Sequence, residues 1–267
     1  MGAAYPLVIS VPHGGDTIPP EVAERVGITG GDIFYDGDAL TREIYDFGKR
    51  VDAFIETPIA RAIVDVNRAY DDRPPANPDG VVKTVTTDGT PVYRDGMFPD
   101  NGLIDELLHR YSFPYHERLG NLLESRDIRL ALDCHSMLER SPAASDRPGE
   151  PRPLICLSNR GDEHGMPVSG RGHVTCPPEW IRALAESLGR ACSGGGRVVM
   201  NDPFAGGYIA QHHYEREGVP WIHIEINRKL YLNEVYFDPE RLRVDQRIIR
   251  ELRGGIFDAI VRFLTVL

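Results

Sequence analysis

The chain has 267 residues, 41% of them hydrophobic, a formal net charge of −10 and a pI near 5.4. That length and apolar content can bury the core of one large domain or two small ones, so disorder is not the default, and the acidic balance argues against nucleic acid or an anionic membrane as partner. The four cysteines, Cys134, Cys156, Cys176 and Cys192, form no CxxC pair, which leaves out a thiolate zinc site or disulfide framework and points to a reducing compartment.

In chain order, LVISV at 7–11 reads as a buried strand and PPEVAERV at 19–26 as a proline-opened turn. Asp38 to Arg50 is amphipathic at helical spacing, with Asp38 placed as its N-cap. VDAFIE at 51–56, AIVDV at 62–66 and RLALDC at 129–134 read as strands, followed by PLICL, RVVM and WIHIEI. Asp238 and Pro239 open a closing outer helix that runs to Leu267, with Gly254 and Gly255 as a weak point. Residues 71–101, 141–152 and 158–172 are rich in Pro, Gly and Asp and read as long loops of the kind that carry function. Strand and helix alternate, so the expected fold is a single α/β domain over 1–267 with helices on both faces of a sheet. No apolar run approaches the roughly 18 to 20 residues of a membrane span. No basic segment leads into an apolar stretch at the N-terminus, so a soluble, cytoplasmic protein is expected.

Four places carry chemistry. Pro12, His13, Gly14 and Gly15 follow the first strand directly, setting an imidazole at the strand edge where α/β sheets bind ligands. A surface histidine beside a glycine turn is the plainer alternative. In DCHSM, strand alternation sends Asp133 and His135 to one face and Cys134 to the other, which makes Cys134 a poor nucleophile. A carboxylate beside a histidine suits a metal ligand with its orienting partner, and equally a hydrogen-bonded core pair. In WIHIEINR, Ile222, Ile224 and Ile226 share one face, while Trp221, His223, Glu225 and Asn227 share the other. Glu225 is the candidate general base, able to activate a water at a metal; a salt bridge to Arg228 or another arginine is the alternative. In ARAIVDVNRAYDD, Arg61 precedes the expected strand, and Asn67 and Arg68 follow it. A planar guanidinium with an amide beside it suits a carboxylate, although a surface ion pair explains Arg61 taken singly.

These elements, in SVPHGGDTIPP, YDGDALTREIYDFG, RAIVDVNRAYDD, GTPVYRDG, FPYHERL, DCHSM, PFAGGYI and IEINRKLYLNE, resemble the N-formylglutamate amidohydrolase family over nearly the whole chain. The zinc carboxypeptidases and aspartoacylases are similar at greater distance. The resemblance implies a three-layer αβα fold with a mixed, mostly parallel central sheet, zinc-carboxypeptidase-like (phosphorylase/hydrolase-like). It also implies one zinc per chain, held by His13, His135 and a carboxylate. That carboxylate is Asp36 by analogy with close relatives, or Asp16 by the carboxypeptidase-like spacing of HGGD. Zinc would lower the pKa of water, Glu225 would take its proton and later return one to the leaving amine, and Arg61 would stabilise the oxyanion. Asn67 and Arg68 would hold a substrate carboxylate.

In NDPFAGGYIAQHHY, Gly206 and Gly207 permit close backbone approach to a ligand and Tyr208 is placed to line the pocket; a plain helix entry fits equally. His212 and His213 diverge by roughly 100° on that helix, so both cannot face one metal. Relatives assigned to formylglutamate tend to carry arginine where this chain has Pro203 and near Gln211. The implied reaction is hydrolysis of the N-formyl or other N-acyl amide of a small carboxylate-bearing amino acid, first of all N-formyl-L-glutamate, a step of histidine degradation. The alternatives are a carboxypeptidase-like or other N-acyl-amino-acid deacylase, and a non-catalytic metal- or carboxylate-binding protein. Neither GxxxxGKS/T, GxGxxG nor GxSxG occurs where a nucleotide enzyme or serine hydrolase would need it. A homo-oligomer is left open.

Overall fold

Six of the seven β-branched runs become strands of one sheet: β1 (Tyr5–Val11), β2 (Val51–Glu56), β3 (Leu130–Met137), β4 (Ile155–Ser158), β5 (Val198–Met200) and β6 (Trp221–Asn227). The computed structural model describes residues 4–143, 145–191 and 197–266, so Cys192 lies outside the described residues. Strand order is β2-β1-β3-β6-β4-β5, with β4 antiparallel to β6 and every other pairing parallel. This is the mixed, mostly parallel sheet that was expected. β3 and β6 are buried along their whole length, so every polar side chain on them needs a partner.

The helices are α1 (Gly30–Asp36), α2 (Thr41–Tyr45), α3 (Asn101–Leu107), α4 (Phe113–Ser125), α5 (Pro178–Ala191), α6 (Tyr208–Glu217) and α7 (Gln246–Leu264). Alternation divides them between the two faces of the sheet. Leu132, Cys134, Ile222, Ile224 and Ile226 join a core with residues of α2, α5 and α7, such as Ile44, Leu184 and Ile260. Val8, Ala131 and Trp221 face a second core with Ile104, Leu119 and Ile209 of α3, α4 and α6. Helices therefore cover both faces and make three layers. Cys134 points into the first core, away from Asp133 and His135, as alternation requires.

Three local expectations give way. AIVDV is not a strand: Ile63 and Val64 are fully buried in the second core, but their N–H groups donate to Ala60 O at 2.9 and 3.2 Å in a tight turn. Its β-branched composition answers to burial rather than extension. Asp38 to Arg50 is not one helix, and Asp38 is not a cap. The N-cap of α2 is Leu40, in left-handed backbone at φ 62° with no side-chain cap bond, and α2 lasts five residues. The closing helix begins only at Gln246, with Asp245 as its cap, because β7 (Phe237–Asp238) first pairs with β8 (Arg243–Val244); Gly254 and Gly255 lie inside it without a break. No helix among the described residues is long and apolar enough to cross a membrane.

Ile224 is fully buried on the face opposite Glu225. Ile224→Ala is expected to cost about 2 to 5 kcal/mol in a denaturant titration; a loss below about 0.5 kcal/mol, as at a surface position, would contradict this account of the core.

Candidate active site

The β3–β6 register sets Asp133 beside His223 and His135 beside Glu225, all on the face away from the isoleucine core. β1, parallel to β3, contributes Ser10, whose Oγ donates to Asp133 Oδ1 at 3.2 Å, and two residues beyond its end the chain delivers His13. The site thus forms where three neighbouring parallel strands end.

His13 Nδ1 and His135 Nδ1 stand 3.1 Å apart, and Asp38 Oδ2 lies 2.9 Å from the second and 3.4 Å from the first. Each ring is held from behind by a buried carboxylate: His13 Nε2 lies 2.7 Å from Asp65 Oδ1, and His135 Nε2 lies 3.1 Å from Asp133 Oδ1. An ionised carboxylate only accepts, so each Nε2 carries a proton; in a neutral ring Nδ1 then turns its lone pair toward the other ring and toward Asp38 Oδ2, whereas in a protonated ring Nδ1 donates to Asp38. Lone pairs so opposed repel one another unless a cation lies between them. A proton can serve: burial lowers the His135 pKa, but Asp133 and Asp38 outweigh it and hold the ring well above the usual imidazole range. A metal ion such as zinc can serve as well. Tetrahedral bonds of about 2.0 to 2.2 Å separate ligand atoms by roughly 3.3 to 3.6 Å, against the 2.9 to 3.4 Å found here. Two imidazoles and a carboxylate, each ring with an orienting partner, fit that ion.

The carboxylate in this cluster is neither of the two expected from sequence. Asp36 is buried nearby, but its Oδ1 accepts the Thr87 N–H at 2.7 Å and its Oδ2 lies 4.0 Å from Arg61 Nε. Asp16 is exposed, on an adjoining small cleft that shares His13 and Asp38 with the site, and it is not among the atoms that converge there. α1 ends at Gly37, and the Asp38 N–H donates to His13 O at 2.9 Å, which turns the Asp38 side chain toward both rings. Arg228 braces it from the other side, Nη2 donating to Asp38 Oδ1 at 3.1 Å. Burial pushes the Asp38 pKa up, but hydrogen bonds from His13 and His135, donated by Nδ1 when the rings are protonated, win and hold it well below the carboxylate range.

Asp65 is the buried hub behind His13. Its Oδ2 lies 3.3 Å from Lys83 Nζ, 3.6 Å from Arg61 Nη2 and 3.9 Å from Arg68 Nε. Burial raises its pKa, and the charges of His13 and Lys83 more than reverse this. Arg68 and Lys83 also pair with Asp79. Asn67 is committed to protein partners: Nδ2 donates to Asp133 Oδ2 at 3.3 Å, and Oδ1 accepts the Ile209 N–H at 2.8 Å. Gly207 packs against that amide, where an added Cβ would meet Asn67 Nδ2 at 2.5 Å. Tyr208 is not brought into the pocket. Its hydroxyl lies 3.1 Å from His212 Nδ1, in an adjoining cavity of about 430 Å³ with His116, His213 and Arg216, and Arg68 lines both spaces.

Glu225 Oε1 lies 3.3 Å from His223 Nε2, and His223 Nδ1 lies 3.0 Å from Asp133 Oδ2, so His223 links the two carboxylates. Glu225 Oε2, Arg61 Nε and Asp36 Oδ2 are buried without a hydrogen-bond partner among the described residues, and all three residues line one cavity of about 270 Å³ with His13, Asp38 and His135. An unpartnered buried polar atom costs about 1 to 3 kcal/mol, so three in one pocket mark a place for a ligand. Sequence reasoning left out Asp38, Asp65 and His223. Only His223 had a local signal, the alternation that puts it on the face of Glu225.

The family model described as N-formylglutamate amidohydrolase matches residues 5–232. The chain belongs to the N-formylglutamate amidohydrolase family. N-formylglutamate deformylase of Pseudomonas aeruginosa is 28% identical over 260 residues, covering 92% of this chain and 91% of that protein. The deformylase of Pseudomonas putida is 26% identical over 239 residues, 86% and 82% of the two chains. In fold, the crystal structure of N-formylglutamate amidohydrolase from Ralstonia eutropha matches with a TM-score of 0.77 at 21% identity, over 99% of this chain and 95% of that one. A gene product of Agrobacterium tumefaciens matches at 0.66 and 13% identity, over 99% and 91%.

Gly207→Ala is expected to push Asn67 off Asp133 and Ile209 and to lower kcat/KM by about tenfold or more while the melting temperature moves little; unchanged turnover would show that the close approach is idle. A second expectation concerns His116 and His213, whose pKa values are pushed down to about 4 and about 3 by burial first and then by a histidine neighbour. Rings held neutral contribute stability that is complete above the unfolded value near 6.5 and is lost as pH falls toward 4. The melting temperature should fall by several degrees over that window, and less in His213→Gln; equal slopes would contradict it.

Proposed function

We propose that this protein is a zinc-dependent amidohydrolase that cleaves the N-formyl amide of a small amino acid, with N-formyl-L-glutamate and water giving formate and L-glutamate. The observation that carries the reading is the convergence of His13, Asp38 and His135 beside the unpartnered oxygen of Glu225 in one pocket. Membership of the family supports the reaction class. The cavity of about 270 Å³ favours a single small amino acid over a peptide. We place the activity in the cytoplasm, as a step of histidine degradation.

His13, Asp38 and His135 would hold one zinc per chain, with Asp65 and Asp133 fixing the two rings. Bound zinc would supply a Lewis acid that acidifies water and polarises the acyl oxygen. Glu225 takes a proton from the attacking water at Oε2, the atom with no other partner. His223, held by Asp133, keeps Oε1 engaged and so aims Oε2. Arg61, whose Nε has no protein acceptor, meets the charge that develops on the acyl oxygen. Burial alone would lower the Arg61 pKa, but Asp65 and Asp36 hold it raised, so the guanidinium stays charged. As the C–N bond breaks, the proton on Glu225 passes to the leaving nitrogen. Arg68 orients the substrate carboxylate, while Asn67 positions Asp133 and the Gly207 backbone.

Purified protein is expected to carry zinc near one per chain and to release formate from N-formyl-L-glutamate until the metal is chelated. Glu225→Gln should keep the zinc and lower kcat by about 10² to 10⁴; near wild-type turnover would overturn the base assignment. Among the three aspartates, Asp38→Asn should lose zinc, whereas Asp36→Asn and Asp16→Asn should retain it. Zinc retained in Asp38→Asn and lost in either of the others would move the ligand assignment.

A further inference from the structure

Four arginines line the pocket: Arg61, Arg68, Arg152 and Arg228. Three of them have acidic partners. Arg228 is a brace, with Nη2 on Asp38 Oδ1, Nη1 on Tyr35 O at 2.7 Å and Nε on Ser136 Oγ at 3.1 Å. Arg68 pairs with Asp79, and Arg61 lies between Asp65 and Asp36. Arg152 differs: among the described residues no carboxylate lies within ion-pair distance of it, and its only side-chain bond runs from Nε to Ser141 Oγ at 3.4 Å. Both Nη groups, with four N–H donors, are left without a protein acceptor among the described residues.

This guanidinium is held in place. It is half-buried and stacks at 4.9 Å over the Phe204 ring, which lines the same pocket. The backbone is pinned on both sides: the Arg152 N–H donates to Glu139 O at 2.9 Å, and Arg152 O accepts from Asn227 Nδ2 at 3.3 Å. Burial lowers its pKa and the charge of Glu225 opposes this, which places the group in the field of Glu225 but not in contact with it. A partly desolvated cation with four idle donors is costly without an acceptor, and a planar fork matches a carboxylate in two parallel bonds.

Topology adds a direction. β4 runs against β6, so the residues that enter β4 lie at the edge where β1, β3 and β6 end. Across that edge Arg61 and Arg68 lie on the Asp65 side, and Arg152 stands at the β4 side, beyond Glu225. Neither Pro203 nor Gln211 supplies a further cation, since Gln211 bonds to Glu215. A guanidinium on each side of Glu225, ion-paired Arg68 on one and, among the described residues, unpaired Arg152 on the other, suits a substrate with an anionic group at each end.

We infer that Arg152 forms a second carboxylate subsite, gripping the side-chain carboxylate of a dicarboxylic N-acyl amino acid and setting the selectivity of the activity proposed above, on which this assignment of substrate rests. The test compares zinc-loaded wild type with Arg152→Gln in two assays. One is kcat/KM for N-formyl-L-glutamate against N-formyl-L-glutamine, which differ in that one charge. The other is calorimetric binding of glutarate against butyrate, which needs no turnover. In Arg152→Gln the glutamate-to-glutamine ratio should fall by about 10- to 100-fold, and the preference for glutarate should vanish. Ratios equal to wild type in both assays overturn the subsite, as does a wild type that treats the charged and neutral substrates alike. If wild type hydrolyses no N-formyl amino acid but loses its glutarate preference with Arg152, the subsite stands and the proposed reaction falls. Should Arg152→Gln fail to fold, Arg152→Lys decides: charge without the fork should lower the ratio about three- to tenfold, and an unchanged ratio overturns the proposal.

Discussion

Across β3 and β6, Asp133 stands beside His223 and His135 beside Glu225, and the rest of the site is hung on that register. Side chains alternate with period two, so a slip of one residue would drive all four polar groups into the core made by Leu132, Cys134, Ile222 and Ile224. Burying an ion without its partner costs several kcal/mol, and each buried isoleucine adds about 1.5 to 3 kcal/mol on the correct side. The apolar face therefore fixes which face carries Asp133, His135, His223 and Glu225. β1 joins β3 in step, Ile9 beside Leu132 and Ser10 beside Asp133, which brings His13 to the same edge.

Behind that edge the charges divide into two kinds. Asp65 and Asp133 are saturated: each accepts from, or ion-pairs with, several donors, and Asp65 turns one oxygen to a histidine and Asp133 both. Groups so engaged cannot exchange protons with a substrate, but they can hold an imidazole in one orientation and one tautomer. Arg61 and Glu225 line the cavity, and each keeps a buried atom without a hydrogen-bond partner among the described residues. Saturated groups orient, and unsaturated groups are available to react. Fully buried Lys83 belongs to the first kind, since it reaches no ligand space and keeps Asp65 ionised behind His13.

Strand alternation is a local property, which is why LVISV, RLALDC and WIHIEI disclosed β1, β3 and β6 and, with them, the faces of Asp133, His135 and Glu225. A turn has no such periodicity. In DGDAL the chain carries two aspartates, and which one reaches the histidines depends on how α1 ends at Gly37 and where the Asp38 N–H finds its acceptor. Asp38 has the composition of a helix cap, and its actual partners, His135 and Arg228, lie 97 and 190 residues away. AIVDV fails for a related reason, because burial and extension select the same β-branched residues. Arg152, in a loop rich in proline, carries no signal at all, since its place at the site follows from the direction of β4 rather than from its neighbours in sequence.

That direction separates two jobs. In the parallel part of the sheet the reacting edge is made by strand ends, where His13, His135 and Glu225 are locked by a register that tolerates no shift. β4 meets the same edge with its beginning, so residues 145–152 approach as a loop, attached by the Glu139 and Asn227 hydrogen bonds to Arg152. Loops accept substitution and changes of length far more readily than buried strands. On the proposed reading, chemistry would rest on the rigid parallel strands and selectivity on the antiparallel entry, so a change of preferred acyl amino acid would need no disturbance of the groups proposed to break the amide.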